Sequence, residues 1–200
     1  MKDITHLSIN GFLKIYDPVT KEISFEGKNA IHYEHMSQAL AWSISNDERG
    51  FIYKMAFGNG GTTVDPTGII TYLTPNSSGS NASLYNQTYT KIVDKNSSRD
   101  PARNYTQTRH VTGVNYSDIF ITCLLDYGEP ENQSAFDNNT SNDSTYVFDE
   151  LGLISFDPSK PANEGLLLTH VVFHPVQKSL NRLIQIDYTI RIQTLSSGVC

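Results

Sequence analysis

The clearest alternation of apolar and polar positions lies in residues 183–192. Its apolar positions are Ile184, Ile186, Tyr188, Ile190 and Ile192. Successive residues of a β-strand point to opposite faces, so this pattern predicts a strand with one face in a core and one polar face. Residues 165–174 are almost continuously apolar, which is typical of a strand buried on both faces. We expect these two segments to form an antiparallel pair that closes a β-sheet domain.

Strand patterns recur elsewhere in the chain. Residues 7–16 and 22–25 flank a turn at Asp17-Pro18 and predict a β-hairpin. The other segments with strand character are residues 51–57, 68–73, 114–127 and 146–156.

One amphipathic helix is predicted over residues 30–45. Apolar side chains recur at four-residue intervals from Met36 to Ile44 and would form a stripe that packs on the core. Trp42 lies off this stripe and would mark a second contact surface. Asn29 is a residue type that suits the N-cap.

Together these elements predict a mainly β fold, either a β-sandwich or a barrel-like antiparallel sheet, with one helix and long polar loops. We expect one β-rich domain over residues 1–200, with extended loops at residues 74–110 and 131–146. Structureless loops of this length are uncommon in compact domains and usually have a function or bind a partner.

The first polar loop carries side chains that suit a protein interface. Tyrosine combines an apolar ring with a polar tip, and both tyrosine and arginine are enriched at interfaces. The candidate interface residues are Tyr85, Tyr89, Tyr105, Arg103 and Arg109, with Trp42 from the helix. Basic residues with interleaved aromatics also occur where proteins bind single-stranded nucleic acid. The net charge of −6 argues against that function.

Two clusters resemble metal sites without completing one. His32 and His35 lie three residues apart on the predicted helix, but no third ligand is evident, so we interpret them as surface or boundary histidines. Residues 137–143 place oxygen donors at every second position, as a calcium loop does. Asn142 and Phe148 occupy the positions where such a loop needs Gly and Glu. We expect no metal and no cofactor.

The sequence contains no recognisable catalytic motif. Residues 58–61 are rich in glycine but are followed by neither Gly-Lys-Ser/Thr nor a helix start, which favours a tight turn over a phosphate loop. The adjacent acids Asp149 and Glu150 lie between apolar residues, where a carboxyl group with a shifted pKa could occur. We expect a protein that is not an enzyme.

The number of cysteines and the N-terminal segment indicate in which cellular compartment the protein could reside. Two cysteines cannot form a disulfide framework. We expect Cys123 to be a core residue, while Cys200 could join a neighbouring chain through a disulfide. We expect neither a signal peptide nor a membrane span, because the first residues lack an apolar stretch and no run of about 18 apolar residues occurs.

Three segments carry a resemblance to a known family: residues 51–61, 84–89 and 170–192. Over about residues 7–192 the chain resembles a family of virion structural proteins from contractile-tailed bacteriophages. The resemblance implies assembly in a virion, as copies in a ring or cluster that contact one another and other virion proteins. It implies a position in the neck or collar, with a baseplate or tail-fibre adaptor, or a capsid decoration protein, as alternatives. It assigns no catalytic residue.

Two other classes of function stay open at this point. A carbohydrate- or receptor-binding module would use Trp42, the tyrosines and the oxygen donors of residues 137–143. A hydrolase would use some of the scattered acids and histidines.

Overall fold

The computed structural model describes residues 5–130 and 145–196. The strands are β1 (Thr5–Tyr16), β2 (Ile23–Lys28), β3 (Ala30–Ile31), β4 (Ile52–Gly58), β5 (Thr62–Val64), β6 (Ile70–Tyr72), β7 (Gln87–Ile92), β8 (Tyr105–His110), β9 (Tyr116–Leu125), β10 (Thr145–Phe156), β11 (Glu164–Ser179) and β12 (Ile184–Ser196). The helix α1 spans Tyr33–Ile44.

The strands form two five-stranded antiparallel sheets that pack against each other. The front sheet has the order β2-β1-β12-β9-β8, and the back sheet has the order β3-β11-β10-β4-β7. Strands β5 and β6 form a separate two-stranded sheet. The mainly β fold with one helix is confirmed, and of the two predicted architectures it is the sandwich. The part of the chain that the structure describes contains no closed barrel.

The alternation in β12 places its isoleucines between the sheets. Ile184, Ile186, Tyr188 and Ile190 are at most 1% exposed. They belong to one core cluster with aromatic residues of the back sheet. In that cluster the ring of Phe148 packs edge-on against Phe57 at 5.4 Å and against Phe173 at 5.8 Å between centroids.

The back sheet is buried on both of its faces. Every residue of β4 is buried, and so are residues 167–171 of β11. A second apolar cluster of Ala56, Ile154 and Leu167 lies beneath Leu84, outside the main core. Residues 74–86 and α1 thus form a third layer, which confirms that residues 165–174 contain a strand buried on both faces.

The predicted pairing of the last two long strands is wrong. β11 pairs with β10 and β3, whereas β12 pairs with β1 and β9, so the two strands lie in opposite sheets. The short connection at residues 180–183 crosses from one sheet to the other. A strand buried on both faces belongs in the covered back sheet, while a strand with one polar face belongs in the front sheet.

The helix begins three residues later than predicted. Ala30 and Ile31 pair with β11 as β3, and His32 is the N-cap in place of Asn29. Ile44 is 87% exposed and lies outside the buried stripe. In the described ranges, no helix combines the length and apolar character needed to cross a membrane.

The segment predicted as one loop at residues 74–110 contains two edge strands, β7 and β8. Residues 107–110 of β8 are exposed, and its polar sequence gives no alternating signal. Of the second predicted loop, residues 131–144 lie outside the described residues.

The core predicts a large difference between neighbouring positions of β12. Ile186→Ala should lower the free energy of unfolding by about 2–5 kcal/mol, because Ile186 is fully buried and its loss leaves a cavity. Thr189→Ala, on the other face of the same strand, should change it by no more than about 1 kcal/mol. Urea denaturation measures both, and equal effects would contradict this assignment of faces.

Candidate docking surface

Two adjacent acids of β10 are buried where the back sheet meets its third layer. Asp149 is 3% exposed and Glu150 is 0% exposed. The register between β10 and β11 shifts between Phe148 and Glu150, and such a bulge interrupts the regular alternation of side chains. Both acids accept hydrogen bonds from the glycine loop, residues 58–61, and Asp149 also accepts one from Thr62, the residue that follows it.

The carboxylate of Glu150 accepts hydrogen bonds from four donors. Its Oε1 accepts from the backbone N–H of Gly60 (3.1 Å) and of Asn86 (2.8 Å). Its Oε2 accepts from the backbone N–H of Tyr85 (2.9 Å) and from Nε2 of His170 (2.9 Å). Burial of the Glu150 carboxyl raises its pKa, but the hydrogen bonds outweigh burial and lower the pKa below its usual 4.5. The group is therefore a charged, fully bonded carboxylate.

His170 continues this network to another backbone group. Its Nδ1 accepts the backbone N–H of Asn76 at 2.8 Å, while its Nε2 donates to Glu150. One ring nitrogen accepts and the other donates, which is the pattern of a neutral imidazole with its proton on Nε2. The ring is 0% exposed.

The second acid, Asp149, binds the glycine loop directly. Its oxygens accept the backbone N–H groups of Gly61 and Thr62, each at 2.9 Å, and the hydroxyl of Thr62. Gly58 allows the close approach of Glu150, because a Cβ at Gly58 would lie 2.4 Å from its Oε1. The loop N–H groups that would bind a phosphate therefore bind carboxylates of the same chain.

Two stacked histidines of α1 contact the third layer. Nδ1 of His32 accepts the backbone N–H of His35 (3.2 Å) as the helix cap, and its Nε2 faces the carbonyl of Gly79 (3.1 Å). The nitrogens of His35 face the carbonyls of Leu167 (2.8 Å) and Ser80 (3.3 Å). Burial and the neighbouring His35 lower the pKa of His32 below its usual value.

The interpretation of these histidines as surface or boundary residues is wrong. His32 is 0% and His35 is 2% exposed, because residues 78–80 cover them. Within residues 5–130 and 145–196, no three potential metal ligands come close enough to share an ion.

Residues 74–86, which we call the strap, present an uncharged surface above these anchors. The strap consists mainly of Ser, Asn, Thr and Gly. Tyr85 is 42% exposed and its hydroxyl donates to the carbonyl of Thr74 at 2.6 Å. At the edge of the strap, Tyr33 is 75% exposed and its N–H donates to the carbonyl of Ser77. Exposed tyrosines among small polar residues are typical of protein-binding loops.

Residues 62–72, which we call the hairpin, project beside the strap. They comprise β5, β6 and the turn between them. Val64 and Ile69 are each 63% exposed, and Tyr72 is 50% exposed. A two-stranded hairpin is at best marginally stable in water by itself. This hairpin therefore depends on its attachment to the sandwich.

The hairpin is held at its base and in its turn. The N–H of Leu73 donates to the carbonyl of Gly61 at 2.8 Å, and a hydrogen bond of 3.1 Å joins Tyr72 to His174. In the turn, Oδ1 of Asp65 accepts two backbone N–H groups and a threonine hydroxyl. Hydrogen bonds thus fix both the base and the turn of the hairpin.

Of the six candidate interface residues, Tyr85 lies in the strap. Trp42 is half-buried, and the guanidinium of Arg49 lies 4.4 Å from its ring centroid. Tyr105 and Arg109 are on β8, at the edge of the other sheet. The structure therefore does not bring these four residues together.

The other two candidates, Tyr89 and Arg103, line a cavity of about 290 Å³ next to β7. Arg103 forms ion pairs with Asp100 (2.5 Å) and Asp126 (2.7 Å), so its charge is already paired within the chain. No residue of the strap is among those that line the cavity.

Two further predictions concern the cysteines and the oxygen-rich segment. Cys123 is fully buried, and burial raises the pKa of its thiol to about 12, which confirms a core residue. Cys200 and residues 137–143 lie outside the described residues.

Sequence analysis missed the anchoring role of Glu150 and His170. The available signals were two acids within an apolar segment and a histidine inside a strand buried on both faces. The hairpin was also missed, because Val64 and Ile69 resemble ordinary strand residues until their exposure is known.

The buried, hydrogen-bonded carboxylate of Glu150, which we call the anchor, leads to a prediction for a mutation. Glu150→Gln should lower the free energy of unfolding by about 3–5 kcal/mol, because an amide donor replaces one acceptor among buried N–H groups. Glu22→Gln, whose side chain is 74% exposed, is the control and should leave stability unchanged. Urea denaturation measures both; a variant as stable as wild type would show that the anchor is dispensable.

The lowered pKa of Glu150 also predicts acid sensitivity. Its stabilising contribution is complete above the ordinary carboxyl pKa of 4.5 and is lost as the pH falls through the lower folded-state value. The urea concentration at the midpoint of unfolding should therefore decrease when the pH is lowered below about 4.5. Because Gln does not titrate, Glu150→Gln should flatten that fall, and an unaltered profile would count against the assignment.

The chain matches no family model, no curated protein and no solved structure.

Proposed function

We propose that this chain is a non-enzymatic structural subunit of a contractile-tailed phage virion, which docks on neighbouring virion proteins through the hairpin and the strap. The observation that carries the proposal is the hairpin itself. It presents Val64 and Ile69, each 63% exposed, on a two-stranded element that is attached to buried carboxylates. Exposed apolar side chains in a fixed position gain free energy only when another surface covers them.

The anchoring network supports a role in docking. Burying a carboxylate is unfavourable unless its hydrogen bonds are satisfied, and here two carboxylates are buried side by side. Most of their donors are backbone N–H groups, which belong to the glycine loop, to Thr62 and to the strap. The network therefore orders surface segments before binding, which reduces the entropy lost when a partner docks.

The same network offers little support for catalysis. Glu150 and His170 have the hydrogen-bonded geometry of an acid–base pair, but each is 0% exposed beneath the strap. A substrate could reach them only if the strap moved away.

The assignment to a virion rests on the resemblance to phage structural proteins, and the sheet edges are compatible with assembly in multiple copies. Within the described ranges, β2 and β8 are the outer strands of the front sheet. Open strand edges can pair with a segment of another chain. A single heterologous contact repeated around an axis closes a ring. We expect the neck or collar first, then a baseplate or fibre adaptor, then capsid decoration.

A double substitution in the hairpin tests the proposal. Val64→Ser with Ile69→Ser should weaken docking at least about a hundredfold, because each buried branched side chain contributes about 1.5–3 kcal/mol. The variant should keep its unfolding midpoint, since both residues are exposed. The measurement is the amount of the chain in purified particles, by quantitative mass spectrometry after complementation of a deletion in the phage that encodes it.

Val19→Ser is the matched control, because Val19 is 67% exposed in the turn between β1 and β2. It should enter particles at the wild-type level. Absence of the wild-type chain from purified particles would refute the virion assignment. Normal incorporation of the hairpin variant would refute this docking surface.

A further inference from the structure

The strap is held at its N-terminal end by a histidine that must be neutral to hold it. Nδ1 of His170 accepts the backbone N–H of Asn76 at 2.8 Å, and its Nε2 donates to Glu150. A proton on Nδ1 would place an N–H against the N–H of Asn76. The two donors cannot bond, so the contact between His170 and Asn76 would be lost.

Protonation of His32 would also weaken the contacts that hold the strap. Its Nδ1 accepts the N–H of His35 as the helix cap. A proton there would remove the cap and would place a positive charge at the positive end of the helix dipole. The Nε2 of His32 also faces the carbonyl of Gly79, so a shift of this ring would disturb the middle of the strap.

We propose that the strap is an acid-sensitive latch: protonation of His170, assisted by His32, releases its Asn76 end from the back sheet and so alters the docking surface. This inference rests on the proposed function for its biological meaning, but opening of the latch is a property of the isolated chain.

The charged and titratable groups that face these histidines affect how readily each ring is protonated. Glu150 on β10 faces His170, and the ring of Tyr85 on the strap lies 5.6 Å from it. A charged Glu150 attracts a proton to His170 without supplying an acceptor for Nδ1. Nδ1 therefore gains a proton only at the expense of Asn76.

On α1, His32 is faced by His35 at 3.7 Å between ring centroids and is influenced by Glu34. From the strap it is faced only by backbone carbonyls, among them that of Gly79. His35 acts in the opposite direction, since both of its nitrogens face carbonyls, and a proton on it breaks neither contact. Acid should therefore open the strap first at Asn76.

The pH range follows from linkage. A histidine that is freed from its partners takes up a proton near pH 6.5. In the latched state, a proton on Nδ1 of His170 would displace the N–H of Asn76. Burial and the neighbouring His35 lower the pKa of His32, so its neutral form is the one that stabilises the latched state. Release should therefore grow as the pH falls below about 6.5.

Hydrogen–deuterium exchange of the full chain at pH 7.5 and pH 5.0 tests the latch, with rates corrected for the intrinsic effect of pH. Peptides covering residues 74–86 should lose at least about tenfold protection at pH 5.0, because the contact that holds the Asn76 end is lost. Peptides of β12 should keep their protection. Unchanged protection of the strap, or its loss together with β12, would overturn the inference.

Two substitutions of the same histidine sharpen the test. In His170→Asn, the amide oxygen takes the place of Nδ1 as a non-titrating acceptor, so the strap should stay protected at both pH values. In His170→Gln, the amide nitrogen can replace Nε2 but no acceptor faces Asn76, so protection should be low at both. His110→Asn, in the exposed β8, should respond to pH as wild type does. A wild-type pH response in both His170 variants would refute the role of this ring.

If one variant fails to fold, the wild-type comparison at the two pH values still decides the inference. No partner takes part in the experiment. If exchange shows that the strap does not open, the test of the hairpin variant in purified particles is unaffected. If that particle test fails, the exchange result still holds.

Discussion

The outer layer of this protein depends on backbone N–H groups that donate to two buried carboxylates. Glu150 accepts hydrogen bonds from the backbone N–H groups of Gly60, Tyr85 and Asn86. Asp149 accepts those of Gly61 and Thr62. Two surface segments, residues 60–62 and residues 85–86, are thereby tied to one strand, β10. Without these acceptors the N–H groups would be buried and unsatisfied, and each such group costs about 1–3 kcal/mol. The acids therefore order the surface.

This arrangement separates rigidity from surface chemistry. The groups that fix the strap lie beneath it: His32, His35, Glu150 and His170 are all at most 2% exposed. The residues that a partner would meet are small, polar or aromatic and carry no charge in the strap itself. Such a surface can change its side chains without altering its backbone, because the backbone is held from the other side. A protein that binds partners of differing shape would benefit from that property.

The sequence predicts those parts of the structure in which buried and solvent-exposed faces produce a pattern of apolar and polar residues. Alternation identified β1 and β12, because these strands have one buried and one polar face, and apolar runs identified β4, β9 and β11. The same signals do not specify neighbours, so β11 and β12 were paired wrongly although both were recognised. The edge strand β8 was missed because its exposed residues, such as Gln107 and Arg109, have no core to face. The anchor escaped prediction because most of the donors to Glu150 are backbone groups, which every residue has.

The position of β12 in the front sheet has a consequence for folding. It lies between β1 and β9, and its register with β1 joins Thr5 to Ser196 and Tyr16 to Gln185. During translation β1 and β9 leave the ribosome long before the strand that fills the gap between them. Their facing edges have no partner in this sheet until β12 arrives, so closure of the sheet must be among the last steps. Pairings of such large sequence separation fold slowly and leave strand edges open to aggregation, so a nascent chain of this kind benefits from protection by a chaperone.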